Sequence, residues 1–343
     1  MLFSDITGHR KIKDILLNLV NSNRVGHAYI FEGPAGVGRL SVAKAFANML
    51  ICEHPQSVDS CGTCKSCSQC LSGNHPDIRI VTNQLYDGNK KSADILVDTI
   101  RNMKQEVYIK PYEAARKIYI IPKADTMNVY AQNSLLKILE EPPEYCTIIL
   151  IAENSNSFLP TILSRAPILK FFPLSQPEII EYLVKNCEGE SPDSFEMVAE
   201  MCQGSIGKAK NLLEDDEAFK LREELLKHVF ALCGDSRKSI HDLALFMKQN
   251  KDDGELILNI LSSIIHDLFL IKKVGVDAGI TNKDKRTKLE VVSRSLTQKS
   301  SILLMELILK YNDYISKNIG FGQTAQCLAM ELWEVINDRD YRS

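Results

Sequence analysis

The chain has 343 residues, 45% of them apolar and 25% charged, with a formal net charge of −3; these are the proportions of a soluble globular protein of roughly two or three domains. The charge balance excludes a whole-molecule attraction to nucleic acid, so any DNA contact has to come from a local basic face. No apolar run is read as long enough to span a bilayer, residues 1 to 20 carry no signal-peptide pattern, and ten cysteines without a leader point to the cytoplasm and to reduced thiols.

In chain order, a helix is expected at about Lys11–Val20 and a β-prone run at Ala28–Phe31. The segment Gly33-Pro-Ala-Gly36-Val-Gly38-Arg39-Leu40-Ser41 follows, and then a helix over Leu40–Leu50. Strand, glycine-rich turn and helix form the context of a Walker A loop, whose backbone N–H groups and helix N-terminus cradle phosphates. In such a loop a lysine reaches the β- and γ-phosphates and a Ser or Thr hydroxyl holds Mg²⁺. Here Arg39 stands for the lysine and Leu40 for the hydroxyl residue. Ser41 comes one residue late, turned by roughly 100° on the helix. Gly33, Gly36, Gly38 and Arg39 are therefore the candidate nucleotide-contacting residues of a loop expected not to bind ATP or not to hydrolyse it.

Five of the ten cysteines lie between Cys52 and Cys70, which points to metal rather than disulfides. Cys52, Cys61, Cys64 and Cys67 have the C-x8-C-x2-C-x2-C spacing of a closed, structural zinc site that pins an insertion after the Walker helix. Cys70 adds a further x2 step and leaves open which four bind. An iron–sulfur site is less favoured, because the ferredoxin run needs x3 before its last cysteine and then proline, where Leu71 stands here.

Further strands are expected at Ile78–Val81, Lys117–Ile121, Thr147–Ala152 and Ile168–Phe171, with helices at Ile95–Val107 and Val129–Glu140, the latter closed by Pro142-Pro143. A Walker B strand should end in an acidic pair, but Lys117–Ile121 is followed by Pro122-Lys123. Asp125 is read as the cap of the next helix. Arg39, should it not meet phosphate, is expected to pair with Asp125 or another acid.

After Pro173 no strand is expected. Ser175-Gln-Pro-Glu178 reads as a capping box, Ser191-Pro192 and Gly204-Ser205 start two more helices, and longer amphipathic helices follow from about 215, including Asp253–Lys273, Gln298–Lys317 and Gln323–Asp338. The fold class is an α/β P-loop domain, a parallel sheet with helices on both faces, followed by all-α regions. The expected division is 1–170 with its cysteine module at 52–70, a small helical domain at 171–214, and a larger helical domain at 215–343.

Several motifs together resemble the AAA+ subunits of the bacterial clamp loader of the DNA polymerase III holoenzyme. They are Val25-Gly-His-Ala-Tyr-Ile-Phe-Glu-Gly-Pro-Ala-Gly-Val-Gly38, the four-cysteine spacing, His75-Pro-Asp77, Gln132-Asn-Ser-Leu-Leu-Lys-Ile-Leu-Glu-Glu-Pro-Pro143 and Leu163-Ser-Arg-Ala166. The resemblance covers residues 1 to about 210; beyond that only the helical character agrees. Within the family, tau/gamma subunits are ATPases with intact motifs and the delta-prime branch is non-hydrolysing. Arg39, Leu40, Pro122 and Lys123, with Gly207 where the ATPase has its sensor 2 arginine, resemble the delta-prime branch. The resemblance implies a lid and a C-terminal collar, tau/gamma and delta subunits as partners, and the sliding clamp and primer–template DNA reached through the complex. It also implies that Arg165, in Ser164-Arg165-Ala166, is an arginine finger reaching a neighbour's ATP site, against the plainer reading of a surface ion pair. Ala166 departs from the family's Ser-Arg-Cys. Two other readings stay open: a tau/gamma-type ATPase with an atypical loop, and a zinc-containing nucleic-acid-binding module on an inert P-loop fold.

Overall fold

The computed structural model describes residues 1–83, 85, 94–187, 192–214, 216–234, 236–275, 279–317 and 319–337. The chain forms two compact units, Met1–Lys185 with Gly204–Gly207, and Asn186–Gln203 with Lys208–Ser343. Residues 171–214 are thus shared between the two units.

The first unit holds a parallel sheet ordered β2-β3-β4-β1-β5, made of β1 (Ala28–Glu32), β2 (Ile78–Ile80), β3 (Lys117–Ile121), β4 (Cys146–Ala152) and β5 (Ile168–Lys170). Each agrees with its expected strand to within a residue at either end. β3 and β4 are apolar at nearly every position because both faces of the sheet are covered. Alternate side chains serve opposite faces. Ala28 and Ile30 of β1, with Tyr119 and Ile121 of β3, belong to one core. Tyr29 and Phe31, with Ile118 and Ile120, belong to the other. Helices α1 (Arg10–Asn21) and α2 (Arg39–Ile51) cover the second face, where Leu16, Val42, Phe46 and Met49 are buried. A short α3 (Lys65–Leu71) follows α2. Helices α4 (Val97–Val107) and α5 (Val129–Glu140) cover the first face through Ile100, Met103, Leu135 and Ile138. A one-turn α6 (Pro160–Leu163) and α7 (Gln176–Asn186) complete the larger part of this unit.

At the start of α7 the Glu178 carboxylate accepts hydrogen bonds from the Ser175 N–H at 2.8 Å and the Ser175 hydroxyl at 2.7 Å. The expected cap at Asp125 is not made. Asn128 caps α5, its Oδ1 accepting from the Ala131 N–H at 2.9 Å, while Asp125 lies in a 3-10 turn (Ala124–Thr126) and accepts from the Glu153 N–H at 2.8 Å. Asn128 sits directly before the helix, where a short polar side chain reaches the free N–H groups of the first turn.

Past Pro173 the described residues contain helices and no strand: α8 (Pro192–Met201), α9 (Ile206–Glu214), α10 (Asp216–Ala231), α11 (Lys238–Gln249), α12 (Gly254–Val274), α13 (Arg286–Ser295), α14 (Gln298–Ser316) and α15 (Phe321–Asn337). Ser191 and Asp338, expected at helix ends, lie outside the described residues. In the second unit α12 packs against α13 and α14, and α15 against α11 and α14. One expectation is corrected here: the stretch Lys251–Val274 is long and apolar enough, by length and composition, to cross a membrane. Ile257, Leu258, Ile260, Leu261, Ile264, Ile265 and Leu268 are buried in the unit's interior, so the stretch is a core helix wrapped by its neighbours. Within this helix the Asp267 carboxylate accepts hydrogen bonds from the Thr281 and Asn282 N–H groups, and the buried Arg222 donates to Asp284 and Asn282.

Candidate functional site

β1 lies between β4 and β5, so the glycine-rich loop leaves the sheet beside the C-terminal end of β4. Gly38 holds φ +103° ahead of α2, and Gly36 holds φ +74°, values that non-glycine side chains rarely tolerate. A Cβ at Gly36 would run into the Ser205 hydroxyl. The backbone of the loop thus requires glycine at both positions. Its neighbours grip it by three consecutive carbonyls. The Ser205 hydroxyl donates to Ala35 O at 3.1 Å, the Gly207 N–H to Gly36 O at 3.0 Å, and His9 Nε2 to Val37 O at 2.6 Å. A carbonyl only accepts, so Nε2 of His9 carries the proton. Burial lowers the His9 pKa, which favours the neutral ring. A side chain at 207 would press on the Gly36 backbone, since its Cβ would stand 3.1 Å from the Gly36 Cα. His9 and Ser205 escape sequence reading because neither belongs to a phosphate-loop pattern.

Arg39 is only 8% exposed. Its Nη1 donates to the carbonyl of Ala152, the last residue of β4. The expected direct pair with Asp125 is not formed. Burial lowers the Arg39 pKa, and the Glu153 and Asp125 carboxylates offset part of that. Leu40, at the metal-hydroxyl position, is partly exposed. After β3, Pro122 is half-buried and Lys123 is exposed, with φ +52°.

Cys52, Cys61, Cys64 and Cys67 place their four sulfurs within 4.8 Å of one another. Cys61 Sγ and Cys67 Sγ are 3.9 Å apart, close to the roughly 3.8 Å edge of a tetrahedron with metal–sulfur bonds of about 2.3 Å. Backbone N–H groups point at three of the sulfurs: Cys61 N at Cys52 Sγ (3.3 Å), Cys64 N at Cys61 Sγ (3.3 Å) and Cys67 N at Cys64 Sγ (3.4 Å). The Thr63 and Cys64 N–H groups pull the Cys61 thiol down to about 6. Such donors favour thiolates, and four thiolates suit a metal ion with no position left for substrate. Cys64 also caps α3, a helix the spacing alone did not announce. Cys70 stands outside the quartet of mutually close sulfurs. The remaining cysteines are not part of any metal-holding group among the described residues.

Asp77 of the His-Pro-Asp segment is fully buried. Its carboxylate accepts from the backbone N–H groups of Tyr112 (2.7 Å), Glu113 (2.8 Å) and Ala114 (2.9 Å). It thereby fixes the loop that feeds β3. Arg165, just after α6, is half-buried. Its Nη2 lies 3.2 Å from Glu140 Oε1, and its Nη1 donates to the Thr161 carbonyl at 3.0 Å. The structure therefore holds the arginine in a partly exposed ion pair at the end of α5.

Sheet order, glycine-rich loop and helix-covered faces define a AAA+ P-loop fold followed by a helical C-terminal portion. A family model described as "DNA polymerase III, delta subunit" matches residues 8–175, and one described as "DNA polymerase III, delta subunit, C terminal" matches residues 216–321. The chain belongs to the family of DNA polymerase III delta, delta-prime, tau and gamma clamp-loader subunits. It is 28% identical to DNA polymerase III subunit delta' of Bacillus subtilis, over 94% of this chain and 96% of that protein. It is 32% identical to subunit delta' of Pseudomonas aeruginosa, over 54% of this chain and 55% of that protein. Against subunit tau of Bacillus subtilis the identity is 29% over 82% of this chain, which spans only 52% of that longer protein.

Proposed function

We propose that this chain is a non-hydrolysing, delta-prime-type subunit of a clamp loader. It would join tau/gamma and delta subunits in a ring-like assembly that uses ATP to open the sliding clamp and place it on primed DNA. The observation that carries this reading is the direction of Arg39: its guanidinium is spent on the Ala152 carbonyl rather than held free for a phosphate. Leu40 cannot ligate Mg²⁺, and Pro122-Lys123 supplies neither carboxylate of a Walker B pair, so Mg²⁺ lacks its usual protein supports.

In this reading the P-loop is a structural relic, and Arg165 acts in trans on the neighbouring subunit's ATP. The cysteine quartet holds a structural zinc. The 171–214 region serves as the lid, and the helices from 215 onward serve as the collar that holds the assembly. The working place is the cytoplasm, where the replication machinery and reduced thiols are found together.

Two measurements test the proposal. Mixed with tau/gamma and delta subunits, the chain should co-elute in one complex, and the isolated chain should show no steady-state ATP hydrolysis. Turnover near one per second by the isolated chain, abolished by Arg39→Ala, would instead make it a tau/gamma-type ATPase.

A further inference from the structure

The longest gap in the cysteine quartet, residues 53–60 between Cys52 and Cys61, contains Asp59. Asp59 is 8% exposed. Its carboxylate accepts from three backbone N–H groups: Phe3 at 3.1 Å, Ser4 at 2.9 Å and Ser60 at 2.8 Å. Phe3 and Ser4 open the 3-10 turn Phe3–Asp5, whose first N–H groups find no acceptor inside the turn itself. The module thus caps a turn that lies more than fifty positions earlier in the chain. Two further contacts join the same pieces. Asn48 Nδ2 of α2 donates to Ser60 Oγ at 3.0 Å and reaches the Met1 carbonyl at 3.4 Å. Asn21, the last residue of α1, donates to the Ser57 carbonyl at 2.8 Å. Beyond the turn, Phe3 and Ile6 are buried in the core of the second sheet face, and Lys13 Nζ donates to the Ile6 carbonyl at 2.8 Å. Residues 1–9 therefore run as a strap from the cysteine module to His9, whose ring holds the glycine-rich loop at Val37.

The place of Asp59 depends on what closes its loop. The Gln56 N–H donates to the Asp59 carbonyl at 2.8 Å, which makes only a local turn. With Cys52 and Cys61 on one ion, both ends of the 53–60 segment are fixed, and few positions remain open to the carboxylate. Without the ion the ends part and the segment regains conformational freedom. Hydrogen bonds to a charged acceptor are stronger than neutral ones, so their loss is felt by the groups that donate them. We propose that the cysteine module fastens residues 1–6, that Asp59 is the positioning residue which carries this coupling, and that metal loss releases the strap while the sheet stays folded. The proposal rests on the reading of the quartet as a metal site and does not need the clamp-loader reading.

The test is amide hydrogen exchange of the full chain, compared between residues 3–6 and strand β4. The samples are the metal-bound wild type, the wild type stripped with EDTA under reducing conditions, the stripped protein after zinc is returned, and Asp59→Asn. Stripping should speed exchange in residues 3–6 at least about tenfold and leave β4 unchanged, and returned zinc should restore the protection. Asp59→Asn should keep its metal by elemental analysis and its circular dichroism spectrum, yet exchange residues 3–6 as fast as the stripped protein does. By linkage it should also yield its metal to a lower EDTA concentration than the wild type needs. Protection of residues 3–6 at the wild-type level in the stripped protein, or in metal-bound Asp59→Asn, would overturn the coupling alone. Loss of metal from Asp59→Asn without chelator would also overturn it, because the carboxylate would then belong to the folding of the metal site itself. A wild-type chain that binds no metal would overturn the reading of the quartet and the coupling with it.

Discussion

Arg165 and Glu140 form an ion pair, Nη2 to Oε1 at 3.2 Å, with both side chains partly exposed. A pair of this kind contributes about 0–1 kcal/mol. Arg165→Ala should therefore shift the unfolding free energy by no more than that. If the arginine acts in trans, the same change should lower the ATPase and clamp-loading rates of the reconstituted assembly. Where arginine fingers have been dissected they are worth about 10³–10⁵ in rate at their own site; only one neighbouring site is served here, so the loss in the whole complex should be partial. Arg165→Lys should restore little, because an ammonium lacks the planar fork. Wild-type loading by the Arg165→Ala complex would leave the Glu140 pair as the residue's whole role.

Repairing the Walker A loop alone should not create an enzyme. Arg39→Lys combined with Leu40→Thr returns a lysine and a metal hydroxyl, but Pro122-Lys123 still offers no carboxylate. Phosphate release by the double variant should stay at the blank level. A measurable rate would show that the loop was the only defect.

The cysteine quartet should hold one metal ion per chain, identified as zinc by elemental analysis. Ser in place of Cys52, Cys61, Cys64 or Cys67 should remove it, whereas Cys70→Ser should leave it bound. Thiolate ligation couples local folding to the metal, so chelation should expose the 52–70 segment to hydrogen exchange. The sheet should stay protected, because its two apolar cores are built from strand and helix residues outside the module, with Cys70 packed against one of them. Iron with labile sulfide, or metal retained in Cys67→Ser and lost in Cys70→Ser, would contradict this ligand set.

Asp77 should make stability depend on acid pH. Burial raises its carboxyl pKa, but the Ala114, Glu113 and Tyr112 N–H groups outweigh that and hold it below the ordinary carboxylate value. A depressed folded pKa contributes stability that is present above the unfolded value of about 4 and is lost as the pH falls through the folded value. Asp77→Asn should cost about 2 kcal/mol at neutral pH, measured by urea unfolding. The gap to wild type should narrow below about pH 4. A gap independent of pH would mean that packing at this position matters more than its charge.

Local signals carried most of the first unit. The strands were readable because doubly covered strands are continuously apolar, and the glycine-rich turn was readable because left-handed φ values at Gly36 and Gly38 demand glycine. The cysteine quartet was readable because x2 steps bring thiols together within one short segment, which needs no distant partner. Contacts far apart in sequence were not readable. Nothing in the order of residues says that Arg39 turns to the carbonyl of Ala152, that His9 and Ser205 grip the loop, or that Asp77 ties down residues 112 to 114. The position of Asp125 reads as a helix cap for the same reason, since its partner, the Glu153 N–H after the neighbouring strand β4, is distant in the chain. The amino-acid sequence by itself determined the fold class, the glycine-rich loop and the clustering of the cysteines, because propensity, glycine placement and short spacings are local properties. Only the tertiary structure decided where each buried polar group finds its partner, because that depends on which distant backbone atoms the packed sheet brings within hydrogen-bond reach.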